Sequence, residues 1–444
     1  MQEFDLSEKI LEDIVVNNTQ FNEALRKVFQ ADVSLRPMRT FVAGIVGCEL
    51  RHHLLFEYLL KDHQDLLPEE KRAVSLALAN LCFYKHISKD ETMTILNKKV
   101  DETRLKSLKP LFDKTDNDGP FIPDDISKAS NRYLSLRFNT PEWVLKIFEH
   151  YGYGVTYKVL KKNNRPFTSH VRVRTSVTST ENVIKQYPDF KATGIDGILT
   201  YEGKSSLRKN PLVKDGTIFK EKPITKEIID KYEIEEPKEI FVYDGNADSS
   251  ILKEVIEHYG SSIGINLGVK SLDKYADVTR LIRQKELKNV NFFASSLDSL
   301  IVSISRQQDL VIAAPDSSNF DLIREQPDYL LHFDKGGMDK LFAQEKETLN
   351  ECSKFVAEDG TLIYIIYTIS KKEGHQTVLD FLANHPEFHF VCEEQRYPYD
   401  DGETSVYYAV LHKDSNSATV GTPLNVLFGK ETLSQKQASL AENK

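Results

Sequence analysis

At 444 residues and 40% hydrophobic content, the chain is long enough for roughly two or three domains with buried cores. Its net charge of −9 argues against a protein that binds nucleic acid over its whole surface, and no run of about 20 apolar residues is present to span a membrane as a helix. The opening MQEFDLSEKILEDI is acidic and amphipathic, unlike a secretory signal, and Cys48, Cys82, Cys352 and Cys392 stand far apart with no CxxC spacing and no metal-type pairing with histidine. Four buried free thiols in a reducing cytoplasm and no metal site are therefore expected.

Residues 1–112 carry apolar side chains at three- and four-residue spacing. The predicted helices lie in SEKILEDIVV (with Ser7 as its N-cap), FNEALRKVFQ, MRTFVAGIVGCELRHHLLFEYLLKD, PEEKRAVSLALANLCFYKHI and SKDETMTILNKKV. His52 and His53 are adjacent and point to different sides of a helix, so surface or capping roles are expected of them rather than joint metal ligation.

Residues 113–130 are polar, acidic and rich in Gly and Pro, as in a linker. Within residues 131–235, the stretch from Lys158 to Arg174 holds Lys158, Lys161, Lys162, Arg165, Arg172 and Arg174 without a single acid, and Lys204, Arg208 and Lys209, in a predicted loop YEGKSSLRKNP, and then Lys214 follow with no acid among them. Such a local excess can neutralise phosphates. An alternating strand would place Arg172 and Arg174 on one face.

From 236 to 413 strands alternate with helices, as in a doubly wound sheet: EIFVYDG, SIGINLG, NVNFFAS, Asp309 to Ala314, GTLIYIIYTI and a last strand VYYAVLH. Residues 414–444 are poor in apolar side chains and are expected to be a disordered tail.

Three segments carry a family resemblance. Gly360 to Leu382, GTLIYIIYTISKKEGHQTVLDFL, resembles the strand, turn and helix that bear the nucleophilic cysteine in the RsmB (Fmu/Sun) family of rRNA cytosine-C5 methyltransferases, where the strand runs approximately GTLVYxTCS and is followed by PEENE. Ala313-Ala314-Pro315-Asp316-Ser317-Ser318, followed by Arg324 and Pro327-Asp328-Tyr329, is similar to the family's DAPCSGTG loop and the tail after it. Asn139-Thr140-Pro141-Glu142-Trp143 and Asn163-Asn164-Arg165-Pro166 to Arg174 resemble the family's SHPxW and NNRPP…LRVN blocks. The resemblance implies a multidomain fold: an all-α NusB-like domain, a small α+β RNA-binding module, and a C-terminal α/β Rossmann-like methyltransferase domain.

It also implies what has changed. The family's two cysteine positions hold Tyr367 and Asp316. The first cofactor motif, similar to VLDLCAAPGGKTTHL, is matched by Ile240 to Ser250, so that Asp244 and Gly245 remain as possible pocket residues while the glycine pair has become Asp248-Ser249. The ribose-binding acid is matched by Asn266, and no acid stands in Ala294-Ser295-Ser296. The expectation is a cytoplasmic, monomeric protein with a degenerate methyltransferase domain and no cofactor, where the family would use S-adenosylmethionine. It would bind RNA, rRNA or a ribosome-assembly intermediate, through Lys161, Lys162, Arg165, Arg172 and Arg174. The alternatives are an active S-adenosylmethionine-dependent enzyme with a displaced nucleophile, and a protein-binding scaffold acting through the helical domain.

Overall fold

The structure is a computed structural model describing residues 2–115, 122–165, 167–203, 206–234, 237–260, 263–304, 307–400 and 404–415. All but the first two residues of the expected tail fall outside these, as does Lys204.

The N-terminal region is helical. Helices Gln2–Val15, Phe21–Ala31, Arg39–Leu59, Pro68–Ala79 and Lys89–Leu96 bury their apolar stripes in one core that includes Phe4, Ile10, Val42, Leu50, Phe56 and Leu76. Ser7 is not an N-cap: the first helix begins at Gln2, and the buried Ser7 hydroxyl instead donates to the Glu3 carbonyl one turn back. His52 and His53 diverge as expected, but neither is a surface or capping residue. His52 stacks on Phe83 at 3.6 Å, and burial and the neighbouring Arg51 lower its pKa to about 4. Burial would also lower His53, yet the buried carboxylate of Glu49 at 2.9 Å, aided by Glu57, raises it to about 10.

A side chain from outside holds the long helix. Asn139 ends helix Asn131–Phe138 with a left-handed backbone (φ 49°), a conformation that asparagine tolerates. Its amide then spans one rung of helix Arg39–Leu59, donating from Nδ2 to the Leu50 carbonyl (2.7 Å) and accepting at Oδ1 from the Leu54 N–H (2.9 Å). A second tie joins the helical region to a segment far along the chain, with the Asp328 carboxylate accepting from the Phe21 N–H at 2.7 Å.

Helices Glu142–Phe148 and Gly152–Asn163 follow, and then a small antiparallel sheet, β1 (Ser169–Val173), β2 (Phe190–Ala192), β3 (Ile198–Tyr201) and β4 (Ile218–Lys220), in the order β2-β3-β1-β4. Helix Pro223–Lys231 leads into the larger sheet. Its strands are β5 (Glu239–Asp244), β6 (Gly264–Val269), β7 (Val290–Ala294), β8 (Gln308–Ala314), β9 (Val356–Ile366), β10 (Phe388–Arg396) and β11 (Val406–Lys413), in the order β10-β11-β9-β8-β5-β6-β7. The pairings β7-β6-β5-β8-β9 are parallel, and β11 runs antiparallel between β9 and β10. Both faces are covered, which explains the continuous apolar runs: Ile240 and Val242 face one core, while Phe241 and Tyr243 face the other. Strand β10 was not anticipated, because FHFVCEEQR is an edge strand with charged residues and little apolar alternation. All four cysteines are free, but where four buried thiols were expected only Cys82 and Cys352 are buried, and Cys48 and Cys392 are half-buried.

Two outcomes test this description. Asn139→Ala should destabilise the fold by about 2–4 kcal/mol in urea unfolding, since two backbone groups lose their partner and alanine is strained at positive φ. Asn139→Gly should recover the smaller, backbone share. For His53 the folded pKa lies above the unfolded value, so its contribution is complete below about pH 6.5 and lost as pH rises through about 10. Urea titrations of wild type and His53→Gln should therefore differ most at pH 6 and converge by pH 10.

Candidate functional site

In an open α/β sheet, ligands bind beyond the carboxyl ends of the strands where the strand order reverses. Here that point lies between β5 and β8, whose following loops are Gly245–Ser249 and Pro315–Ser318. These loops touch. The Gly245 N–H donates to the Ala314 carbonyl (2.7 Å), and a Cβ at Gly245 would come within 2.7 Å of the Asp316 nitrogen, so only glycine permits the approach. Ser317 Oγ donates to Asn246 Oδ1 at 3.2 Å, and Lys270 Nζ lies 3.5 Å from Asp316 Oδ2.

Asp244 ends β5 as expected, but its side chain is turned to its own loop. It accepts from the N–H groups of Asn246 (2.9 Å) and Ser249 (3.1 Å) and from the Tyr275 hydroxyl (3.1 Å). Burial, reinforced by Asp248, pushes its carboxyl up to about 6 despite these donors. Ala247 (φ 58°) and Ser249 (φ 64°) keep a left-handed backbone in this loop without being glycine.

Asn266 needs correction. It pairs with Phe241 in the middle of the sheet, three residues before the end of β6, and its amide donates to Glu239 and Gln308 at 3.2 Å each. The register sets Val269 opposite Asp244, so the residue that leaves β6 at the ligand end is Lys270.

Tyr367 lies just beyond β9 and is fully buried. The ammonium of Lys222 sits 3.4 Å from its ring centroid, held between Asp248 Oδ2 (3.0 Å) and Asp321 Oδ2 (2.8 Å). Burial opposes the charge on Lys222, but the two carboxylates hold its pKa above the ordinary lysine value. Burial and then the acids Asp248, Asp244, Glu221 and Asp321 drive the Tyr367 phenol well above its usual range. Asp316, at the second cysteine position, is directed outward to Lys270, while Tyr367 points into the Lys222 cluster. The two side chains therefore have separate partners.

Beside them is a group that sequence reasoning passed over. The buried carboxylate of Glu373, in the stretch matched to PEENE, accepts from the N–H and hydroxyl of Ser318 and from the Thr368 hydroxyl, each at 2.7 Å. Burial and Glu373 together push the carboxyl of Glu345 up to about 11, so it is a neutral acid at physiological pH. Lys222 was missed as well. It precedes a proline in a lysine-rich stretch, and nothing local marks it as reaching the site.

Of the basic residues, Lys161 and Arg165 are exposed. Arg172 and Arg174 are not a surface pair. Arg172 Nε donates to Glu254 (3.1 Å) and Arg174 Nε to Glu257 (3.0 Å), both on helix Ser250–Tyr259 of the α/β domain. The strand does alternate, but the face it presents is covered by this helix. Among the described residues no group of three or more His, Cys, Asp or Glu could hold a metal, and no helix is long and apolar enough to cross a membrane.

The chain is 20% identical over 412 residues, 86% of its length and 89% of the relative's, to the probable ribosomal RNA small subunit methyltransferase B of Bacillus subtilis (strain 168). It is a relative of the RsmB family. No family model matches. Among solved structures it is similar to PH0851, at a TM-score of 0.72 and 17% identity over 92% of this chain and 99% of that one. It is also similar to a methyltransferase homologue from Pyrococcus horikoshii, at 0.53 and 14% over 65% and 100%. The fold of PH0851 thus spans nearly the whole chain, with a helical region in front and a Rossmann-like sheet behind.

If Arg172 and Arg174 clasp the small sheet to the α/β domain, changing both to Ala leaves Glu254 and Glu257 short of partners. Each broken buried pair should cost about 3–5 kcal/mol. Urea unfolding should show that loss, and the salt dependence of any RNA binding by the folded fraction should be unaltered.

Proposed function

We propose that this RsmB-related protein binds RNA, most directly rRNA, through a methyltransferase scaffold that transfers no methyl group. The residue at the cysteine position carries the reading. C5 of cytosine is not nucleophilic, so the reaction needs a flipped base and a thiolate that attacks C6. A phenol with an ordinary pKa of about 10 supplies little anion at neutral pH, and burial beside four acids suppresses it further at Tyr367. The Lys222 ammonium also covers the ring face. Asp316 can accept a proton but cannot form the covalent adduct.

The residues present do not fit the family's cofactor. Backbone approach at the first loop is taken by Asp248, whose carboxylate is engaged by Lys222, and by the side chain of Ser249, which donates to Asp277 at 3.1 Å. Lys270 occupies the ribose position and is paired with Asp316 across the crevice. What remains of a methyltransferase is its frame, and RNA recognition is the function that this frame can serve without the chemistry. A cytoplasmic location and a monomeric state belong to the same proposal.

Calorimetry should show no heat of binding with millimolar S-adenosylmethionine. Tritium transfer from labelled S-adenosylmethionine to unmethylated small-subunit rRNA should stay at background for the wild type and for Tyr367→Cys, because one restored nucleophile leaves the pocket closed. Clear incorporation by the unmodified protein would overturn the proposal in favour of an active enzyme.

A further inference from the structure

Helix Gly152–Asn163 packs through Val159 and Leu160 in one cluster with Phe320 and Ile369, which follow β8 and β9. It belongs to a stretch with no Asp or Glu between Glu149 and Glu181. Tyr153, Tyr157 and Lys161 recur at four-residue spacing and so share one face. Tyr153 is 53% exposed, and its ring lies nearly parallel to that of Tyr157 at 6.0 Å. Lys158 projects beside them, with its ammonium 5.7 Å from the ring centroid of Tyr399.

Tyr399 comes from the turn after β10, where it stacks on Tyr397 at 5.3 Å with ring planes 7° apart. Tyr397 in turn receives the edge of Tyr151 at 5.5 Å, which ties the turn to the helical segment. The Asp400 carboxylate is engaged in accepting from the Tyr397 N–H at 2.8 Å. Two further hydrogen bonds, Tyr151 Oη to Gln395 Oε1 (3.4 Å) and Gln395 Nε2 to the Thr368 carbonyl (3.1 Å), connect this surface to the residue after Tyr367.

Paired aromatic faces with ammonium groups between them are what unpaired nucleotides need: bases stack on the rings, and the phosphates linking them meet the lysines. A packing role alone would require neither the exposure of Tyr153 nor the open stretch of cations. We propose that helix Gly152–Asn163 and the Tyr397–Asp400 turn form a stacking platform for single-stranded RNA. Bases lie on Tyr153 and Tyr399, and phosphates on Lys158 and Lys161. The platform rests on the RNA-binding reading above and gives it a place outside the crevice between β5 and β8. It needs neither cofactor nor nucleophile, so it is unaffected by their replacement.

The test is fluorescence anisotropy of the full chain with a labelled ten-nucleotide oligouridylate, a blunt duplex of equal length and small-subunit rRNA, each at several salt concentrations. Single strand should be preferred over duplex. Tyr153→Ala with Tyr399→Ala should weaken oligouridylate binding at least about five-fold per ring while leaving the salt slope unchanged. The two Tyr→Phe changes should retain affinity, which a lost hydroxyl bond or a misfolded variant would not. Lys158→Gln with Lys161→Gln should lower the slope by about 0.7 per phosphate contact. If rRNA or duplex binds and the tyrosine variants bind oligouridylate like wild type, the platform is refuted and the RNA reading stands. If no RNA binds at all, both fall.

Discussion

One ammonium group organises the part of this molecule where chemistry would be expected. Lys222 is held between Asp248, from the loop after β5, and Asp321, from the segment after β8, and it rests on Tyr367 at the end of β9. Three neighbouring strands are thereby joined at their carboxyl ends by a residue that precedes the sheet in sequence. A charge so placed must keep both partners, because losing either leaves an uncompensated ion in a poorly solvated site. Loops that would otherwise open around a ligand are held against each other instead.

The same logic extends outward. Arg172 and Arg174 of the small sheet engage Glu254 and Glu257, and Lys253, on the same helix, reaches Asp277 at 2.9 Å. These contacts fix how the small sheet sits on the α/β domain, and therefore where Lys222, between β4 and the next helix, can point. Polar groups that in an open cleft would be available to substrate are here satisfied by the chain itself. Buried ion pairs of this kind contribute little net stability relative to apolar packing, but they define one arrangement sharply.

The framework was largely legible in the sequence because its signals are local. Apolar runs in EIFVYD and GINLGV require strands covered on both faces, and the heptad-like stripes of the first hundred residues require helices against a core. At Tyr367 and Asp316 the sequence names the residue but not its surroundings, since one is buried against Lys222 and the other faces Lys270. It failed where position depends on register or distance. Asn266 matches a motif by alignment, yet the pairing of Asp244 with Val269 shifts the functional end of β6 to Lys270. Arg172 and Arg174 alternate as a surface strand would, and only the packing of a helix 80 residues away makes them internal.

Folding and chemistry place different demands on these residues, and the loop after β5 separates them. Its residues Ala247 and Ser249 are left-handed without being glycine, at some backbone strain. Asp244 anchors the loop by accepting two of its N–H groups. The backbone conformation is thus maintained by hydrogen bonds internal to the loop, and the side chains added at Asp248 and Ser249 point to partners inside the protein rather than leaving room beside it.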